Sequence, residues 1–405
     1  MRSVLLHLCL CLCLFVPLLA LPAAAAESYG FAGRWSYDDG DKGYLVRPGG
    51  ITGDATGQVY IVDREEGEVQ YYSPSGAYLG RWGALGTGEL LFTDPADVSL
   101  DPDGRLYVAD TGNGRVQAFT QGCNVIATWA GNRYVRPVDV VVVKKDKSYV
   151  ADVEQPEVLI VDDEGAVTGT VGFGGEGDGG LSRPRSLALD SEGNLLVLDE
   201  ALDRVTKFSP DGAFVLRFGE KGAGDGQFER PEGLAVDAAD NVYVADSGNG
   251  RIVKFDPSGQ FLAAFGARGS GDGKFEEGPF GVWVDPQGTV YAPDLSNHGV
   301  QLFREGLATA EPETNETGPD DGNATVQANG TAVNETGLPT VNGTAPDETA
   351  NRTPLDTLTP LQTVTAGNIT PYETPTPPRS LPAPVGGLVA ALAVLGLLAD
   401  RRRSR

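Results

Sequence analysis

The chain has 405 residues, 31 basic and 56 acidic side chains, and a formal net charge of −25, which argues against nucleic-acid binding because phosphate contacts need clustered Lys and Arg. Two His and four Cys are too few for a multi-histidine zinc centre or a disulfide framework. The 55 Gly, about twice the usual ~7%, favour many tight turns and short strands.

Residues 1–26 are predicted to be a secretory signal peptide. Arg2 supplies the positive start, Val4–Ala20 is an apolar run, and Ala24–Ala26 offers a cleavage site of small residues. A retained membrane anchor is the alternative, which the short apolar core disfavours. Three of the four Cys leave with this segment, so the mature chain keeps only Cys123 and forms no intrachain disulfide.

Residues 27–304 form an internal repeat with a period near 47 residues. A tetrad of Pro, any residue, a Gly, Asp or Ser, and an aliphatic residue recurs six times, and an apolar triplet closed by Asp follows it in the same phase. Successive copies of both markers are 47, 42, 47, 47 and 48 residues apart. Because two independent markers have identical spacings, chance does not explain the repeat. The tetrads begin at Pro48, Pro95, Pro137, Pro184, Pro231 and Pro279, and the triplets end at Asp63, Asp110, Asp152, Asp199, Asp246 and Asp294.

Each repeat is predicted to contain four short β-strands. In the fifth repeat they are residues 233–237, 241–246, 251–256 and 260–266, joined by Asn-Gly and Pro-Ser-Gly turns that suit antiparallel hairpins. Four strands in every 40 to 50 or so residues are typical of a β-propeller blade. The sixth repeat ends after its third strand, whereas residues 29–35 match the fourth strand of the first repeat. The predicted fold class is therefore all-β, a six-bladed β-propeller that the N-terminal strand closes.

Two repeats carry a longer motif, Tyr-Val-Ala-Asp followed by Ser or Thr and then Gly-Asn-Gly-Arg, at residues 107–115 and 243–251. A Gly-Asp-Gly-Gln-Phe loop stands at residues 224–228. These motifs resemble those of the NHL-repeat family. The resemblance implies a six-bladed propeller that serves mainly as a binding platform for a protein, peptide or glycan, although a minority of such proteins are enzymes, among them peptide-amidating lyases.

The strand order places the loops before each tetrad and after each triplet on one face of the ring. The Arg and Asp that repeat there are interpreted as structural, because Asp accepts hydrogen bonds from turn N–H groups and Arg bridges neighbouring segments. Positions that do not repeat are better candidates for ligand contacts. The candidate ligand-binding residues at the channel mouth are Asp97, Asp139, Arg185, Glu200, Glu232, Phe280 and His298, and no catalytic residue is assigned.

Metal chemistry is restricted by the same composition. His298 is the only His after residue 26, so a multi-histidine zinc site cannot form in the mature chain. Calcium stays open, since Asp101-Pro-Asp103-Gly and Glu176-Gly-Asp178-Gly place oxygen ligands on turns, but ordinary hairpin turns account for both. The sequence thus predicts no cofactor, with calcium as the alternative. It favours a binding module over a metal-dependent hydrolase or lyase of the channel.

Residues 305–380 are predicted to be a disordered, glycosylated stalk. They contain 17 Thr, 10 Pro and one aromatic residue, too little apolar area to fold. Every Asn in the segment begins an Asn-x-Thr sequon, whereas residues 27–304 contain none. The predicted glycosylation sites are Asn315, Asn323, Asn329, Asn334, Asn342, Asn351 and Asn368.

Residues 381–399 are a 19-residue apolar stretch, close to the ~20 residues that span a bilayer. The tail at 400–405 holds four Arg and is expected to stay cytoplasmic, with the propeller outside the cell. The pattern resembles the archaeal sorting tails of the PGF-CTERM type, although Pro382-Ala-Pro384 and Gly386-Gly387 stand in place of Pro-Gly-Phe. The sequence therefore predicts a membrane-anchored protein of the cell surface.

Overall fold

The computed structural model describes residues 27–36, 42–144, 146–296 and 298–307. The predicted signal peptide, glycosylation sites, membrane anchor and basic tail lie outside these residues. Within the described part, regular structure consists of strands and two single-turn 3-10 helices, Thr111–Asn113 and Ser247–Asn249. None of the described residues forms a helix that is long and apolar enough to cross a membrane.

Six four-stranded antiparallel sheets form the blades of a propeller, and in blades 1 to 5 the strands follow one another in chain order from the axis outward. Strands are numbered in chain order. Blade 1 contains β2 (Pro48–Gly53), β3 (Val59–Asp63), β4 (Glu68–Tyr72) and β5 (Tyr78–Gly83). Blade 2 contains β6 (Asp97–Leu100), β7 (Leu106–Asp110), β8 (Arg115–Phe119) and β9 (Val125–Ala130). Blade 3 contains β10 (Pro137–Lys144), β11 (Lys147–Asp152), β12 (Val158–Val161) and β13 (Val167–Val171).

Blades 4 and 5 follow the same order, and two-stranded parallel ladders precede blades 4 and 6. These elements are β14 (Phe173–Gly174), β15 (Gly180–Leu181), β16 (Pro184–Leu189), β17 (Leu195–Asp199), β18 (Arg204–Phe208), β19 (Phe214–Phe218), β20 (Gly233–Val236), β21 (Val242–Asp246), β22 (Arg251–Phe255), β23 (Phe261–Phe265), β24 (Ala267–Arg268) and β25 (Lys274–Phe275).

Blade 6 joins the two ends of the ring. Its strands are β26 (Trp283–Val284), β27 (Val290–Asp294), β28 (Gly299–Glu305) and, outermost, β1 (Tyr29–Ser36). Strand β1 runs antiparallel to β28, with Trp35 opposite Val300, which confirms the predicted closure by the N-terminal strand. The pairing continues to Gly306, whose N–H donates to the carbonyl of Ser28 at 2.8 Å, so the propeller ends slightly beyond the predicted boundary at residue 304.

The hydrophobic core lies between the blades. Six clusters of buried residues each combine side chains of two adjacent blades, and each junction has one. The loop that enters each of five junctions contributes one large buried side chain, namely Phe92, Tyr134, Leu181, Phe228 and Phe275. The loop before the third tetrad lacks the glycine-rich insertion and is shorter, and the ring of Tyr134 fills the junction between blades 2 and 3 from this shorter loop.

The Asp that closes each triplet fixes the loop that begins its own blade. All six of these carboxylates are 0% exposed, and all accept N–H groups from that loop. Val46 N–H donates to Asp63 at 2.6 Å, and Val135 N–H donates to Asp152 at 2.7 Å. Thr93, Ser182, Glu229 and Glu276 make the equivalent bonds in the other blades. The structural interpretation of the repeating Asp is therefore confirmed, and the rim on which they lie is called the upper rim below.

Candidate functional site

A cavity of about 340 Å³ occupies the central channel, between the innermost strands of all six blades. Its wall includes the third residue of every tetrad, where the strands approach one another most closely. These six residues, one from each blade in order, are Gly50, Asp97, Asp139, Ser186, Gly233 and Gly281. Polar side chains therefore come from three consecutive blades, and the other three blades contribute glycine.

On the polar side, each side chain reaches the next blade. Asp139 accepts hydrogen bonds from the hydroxyl of Ser186 at 3.0 Å and from the N–H of Leu187 at 2.7 Å. The Ser186 oxygen in turn accepts the N–H of Leu234 at 3.2 Å. Asp97 adjoins Asp139, whose charge acts on it, and accepts the hydroxyl of Ser99 at 3.2 Å. Hydrogen bonds thus link blades 3 to 5 around the cavity, and Asp97 of blade 2 lies next to them.

On the glycine side, backbones take the place of side chains. A Cβ on Gly50 would coincide with the Asp97 carboxylate, and a Cβ on Gly233 would lie 2.9 Å from the carbonyl oxygen of Phe280. A Cβ on Gly281 would lie 3.1 Å from the carbonyl oxygen of Gly49. These glycines let the neighbouring backbones and the Asp97 carboxylate approach closely at the axis.

The pKa values of both carboxyl groups are raised. Burial, followed by the charge of Asp139 and the hydrogen bond to it, raises the pKa of Asp97 well above its ordinary value. Burial also raises the pKa of Asp139, but the N–H of Leu187 and the donors Asp97 and Ser186 counteract it. Asp97, whose pKa is raised further, is therefore the carboxyl expected to keep its proton, since two carboxyls at close range disfavour each other's ionisation.

The upper end of the cavity is covered by charged and aromatic side chains. Phe280 is 7% exposed, and the guanidinium carbons of Arg64 and Arg185 lie 4.7 and 4.9 Å from the centre of its ring. Arg185 donates to Glu232 at 2.5 Å, and Arg64 donates to Asp94 at 2.6 and 2.8 Å. Arg64 belongs to blade 1 and Arg185 to blade 4, on opposite sides of the ring, so this group spans the channel mouth.

The lower end of the cavity is apolar and more accessible. Leu100, Val141, Leu189 and Val236, all near the ends of innermost strands, line it and are half-buried. The first residues of the same strands are mostly buried. The cavity is therefore covered at the upper rim and reached from the lower rim. It combines polar walls with an apolar entrance, which is characteristic of small-ligand sites.

Five of the seven residues predicted from the sequence line this cavity: Asp97, Asp139, Arg185, Glu232 and Phe280. Glu200 lies elsewhere on the upper rim, 3.7 Å from Arg183. His298 stacks on Tyr44 with 4.9 Å between ring centres, and its Nδ1 lies 3.0 Å from the carbonyl oxygen of Leu45. Neither residue lines the cavity, because repeat position alone does not distinguish the inner edge of the rim from its outer part.

Three residues of the site were missed in the sequence. Ser186 occupies the same tetrad position as Asp97 and Asp139, so alignment of the repeats could have found it. Arg64 is the only basic residue directly after a triplet Asp, which is also visible in the sequence. Asp94 has no such signal, because its role depends on the contact with Arg64 in the folded ring.

The repeating Arg after the triplets hold loops rather than ligands. Arg115 donates to Asp110 at 2.7 Å and to the carbonyl of Leu91 at 2.8 Å, and Arg251 makes the same contacts with Asp246 and Gln227. The acceptor carbonyls belong to the loop that joins the blade to the preceding one. Arg115 and Arg251 therefore bridge neighbouring blades, as expected, by binding the loop that connects the two blades.

The turns considered for calcium have other partners in the structure. Asp101 accepts the N–H groups of Asp103 at 2.9 Å and Arg105 at 2.8 Å, as a hairpin turn requires. Asp178 is exposed and lies 3.5 Å from Arg217. Within the described ranges, no group of three or more His, Cys, Asp or Glu is arranged to hold a metal ion.

Comparisons with known proteins agree with this architecture. The family model of the NHL repeat matches residues 92–119 and 228–255, in blades 2 and 5. A protein of unknown function from Bacteroides thetaiotaomicron is 16% identical, with a TM-score of 0.54 over 69% of this chain and 76% of that chain. A protein assigned as a gluconolactonase is 14% identical, with a TM-score of 0.50 over 70% of this chain and 93% of that one.

Virginiamycin B lyase from Staphylococcus aureus is 12% identical, with a TM-score of 0.48 over 68% of this chain and 99% of that one. At these identities the likeness to solved structures shows the propeller fold alone. The comparison with curated proteins gave no match.

Proposed function

We propose that the protein is a cell-surface binding module that takes a peptide or glycan group of its ligand into the channel cavity from the lower rim. The observation that carries this proposal is the cavity itself, to which all six innermost strands contribute and which has one covered end. A rigid ring positions the polar wall of Asp97, Asp139 and Ser186 at a fixed depth behind an apolar entrance. Such preorganisation lowers the entropic cost of binding.

The test is a glycan and peptide array probed with the purified protein, followed by binding measurements on two variants. Leu189→Trp adds bulk at the entrance of the cavity, and Ile126→Trp makes the same kind of change at the outer edge of blade 2. We expect Leu189→Trp to weaken binding of any array ligand at least tenfold and Ile126→Trp to leave it unchanged. Equal binding by both variants would place the ligand elsewhere and refute the proposal.

An enzymatic role is the second candidate, and the Asp97–Asp139 pair favours it. A carboxyl group that stays protonated beside an ionised one supplies a general acid and a general base at one wall of a cavity. A metal-dependent hydrolase or lyase would in addition hold calcium, so elemental analysis of the purified protein distinguishes the candidates. Stoichiometric metal together with hydrolysis in an activity screen would favour the enzyme, and a metal-free, inactive protein would favour the binding module.

The location at the cell surface rests on segments outside the described residues. The signal peptide at 1–26, the sequon-rich stalk and the anchor at 381–399 support export, N-glycosylation and attachment through a C-terminal helix. As a flexible coil of 76 residues the stalk would extend about 50 Å. Fractionation of the source cells tests this location, and recovery of the intact protein in the soluble cytoplasm would refute it.

A further inference from the structure

The upper rim of blade 1 differs from the other blades in its charges. In blade 4, the N–H of Glu200 donates to the carbonyl of Arg183 at 3.1 Å, and the two side chains form an ion pair. In blade 1, the equivalent bond joins the N–H of Arg64 to the carbonyl of Arg47 at 2.9 Å. The same backbone geometry therefore brings together opposite charges in blade 4 and like charges in blade 1.

The charge of Arg47 acts on an Arg pair that already crosses the channel mouth. Arg185 of blade 4 and Arg64 of blade 1 both stack on Phe280, and each has one carboxylate partner, Glu232 and Asp94 respectively. The side chain of Arg47 is exposed and makes no ion pair within the described part of the chain. The three guanidinium groups thus have two carboxylate ion-pair partners between them within the described residues.

This crowding has a measurable electrostatic consequence. Burial lowers the pKa of the Arg64 guanidinium, and the charges of Arg185 and Arg47 lower it further, against the opposing effect of Asp94. Arg64 is 9% exposed, so solvent screens this repulsion only partly. Residues 27–304 as a whole contain 24 basic and 44 acidic side chains, a net charge of −20, so this cluster of three Arg is a local exception.

The fold does not require the third charge. The backbone N–H of Arg47 is held by Asp63 at 3.2 Å, a bond that any residue other than Pro could make. The guanidinium groups of Arg64 and Arg185 lie against an aromatic ring, which leaves their N–H edges for acceptors in a fork geometry that matches carboxylate. An additional anion would balance the charge and relieve the repulsion.

We propose that Arg47, Arg64 and Arg185 form a binding site for the carboxylate group of a small acidic ligand at the upper mouth of the channel, over Phe280. This site lies on the rim opposite the entrance of the cavity and shares Arg185 and Phe280 with the cavity wall. Its ligand is small because the mouth is narrow, with side chains of opposite blades meeting on one phenyl ring.

The experiment is calorimetric titration of the purified full-length protein with citrate at low ionic strength, with sulfate, inorganic phosphate and triglutamate as parallel ligands. The critical variant is Arg47→Gln, which removes the charge but keeps an exposed polar side chain. The matched control is Arg183→Gln, at the same position in blade 4, where the amide is held by Asp199 in the same way. Circular dichroism verifies that both variants are folded.

We expect citrate to bind the unmodified protein, Arg47→Gln to lose at least tenfold in affinity, and Arg183→Gln to stay within twofold. Absence of citrate binding would overturn the proposal, and so would an equal loss in both variants. Sulfate or phosphate binding as tight as citrate binding would reveal an unspecific anion site, and tighter binding of triglutamate alone would assign the surface to acidic peptides. Either result contradicts a small carboxylate ligand.

Discussion

Single residues at one repeat position perform different tasks in different blades. At the third tetrad position, glycine lets backbones meet, whereas Asp97, Asp139 and Ser186 place polar side chains along the cavity wall. The raised pKa of Asp97 is a property of the folded ring, since Asp139, which contributes to it, is 42 positions away in the chain. Their titration should therefore couple to folding.

The pH dependence of stability should report the raised pKa of Asp97. Because the pKa of Asp97 in the folded state lies above its unfolded value of about 3.9, the native state binds a proton that the unfolded state has lost. This contribution is complete below about pH 4 and disappears as pH rises through the folded pKa, with a slope of up to about 1.4 kcal/mol per pH unit. Asp97→Asn should remove that slope.

Urea unfolding between pH 4 and 8 measures the effect as the difference between the unmodified protein and Asp97→Asn. Asp103→Asn, which changes an exposed carboxylate of the same blade, is the control and should follow the unmodified protein. Parallel pH profiles for the unmodified protein and Asp97→Asn would show that Asp97 does not retain its proton in the folded state.

At the scale of elements, the aspartate turn is the unit that joins strands to loops. Asp110 ends β7 and accepts the N–H of Thr93 at 2.8 Å, the side chain of Asn113 at 2.9 Å and Nε of Arg115 at 2.7 Å. It therefore connects the second strand, the short 3-10 turn and the third strand to the loop from blade 1. In the fifth repeat, where strand bounds were predicted from the sequence, they agree with β20–β23 to within one residue at each end.

Removal of one of these carboxylates should be costly. Asp110→Ala leaves a buried Arg and several N–H groups without their acceptor, and we expect the free energy of unfolding to fall by about 3–5 kcal/mol. Asp103→Ala, on the exposed turn of the same blade, should change it by less than about 0.5 kcal/mol. Urea denaturation of both variants tests the difference, and a loss below about 1 kcal/mol for Asp110→Ala would contradict the structural role.

At the scale of the whole molecule, ring closure depends on the first strand. Trp35 of β1 packs on Tyr72 of blade 1 and Tyr291 of blade 6, with ring centres 5.6 and 5.4 Å away. At the other side of blade 6, Lys254 of blade 5 donates to Glu27 at 2.5 Å. The N-terminal segment thus contacts both neighbours of the blade that it completes.

Truncation of this contact should destabilise the entire ring. We expect Trp35→Ala to lower the free energy of unfolding by about 3–5 kcal/mol, because it removes a buried aromatic side chain from the blade 6–blade 1 junction. Arg34→Ala, one residue earlier and paired only loosely with Asp272 at 3.6 Å, should cost less than about 1 kcal/mol. If both substitutions have the same small effect in thermal and urea unfolding, closure does not rest on β1.

The stalk prediction is tested by mass spectrometry of the protein from its native source. We expect glycan on most of the seven Asn of the sequons between residues 315 and 368 and none on residues 27–304, which lack sequons. Expression in a host without N-glycosylation provides the unmodified reference masses. Unmodified Asn throughout the segment would remove the main support for a glycosylated spacer.

The amino-acid sequence by itself determined the all-β class, the number of blades and the closure by residues 29–35, because strand period, turn residues and repeat spacing are local properties of the chain. It also determined that any metal site would have to do without several His. Only the tertiary structure decided which rim residues meet at the axis. The chemistry of two pairs, Asp97 with Asp139 and Arg64 with Arg185, depends on groups that the ring brings together from distant repeats. Neither the burial of these groups nor the charges of their neighbours from other repeats can be predicted from the local sequence.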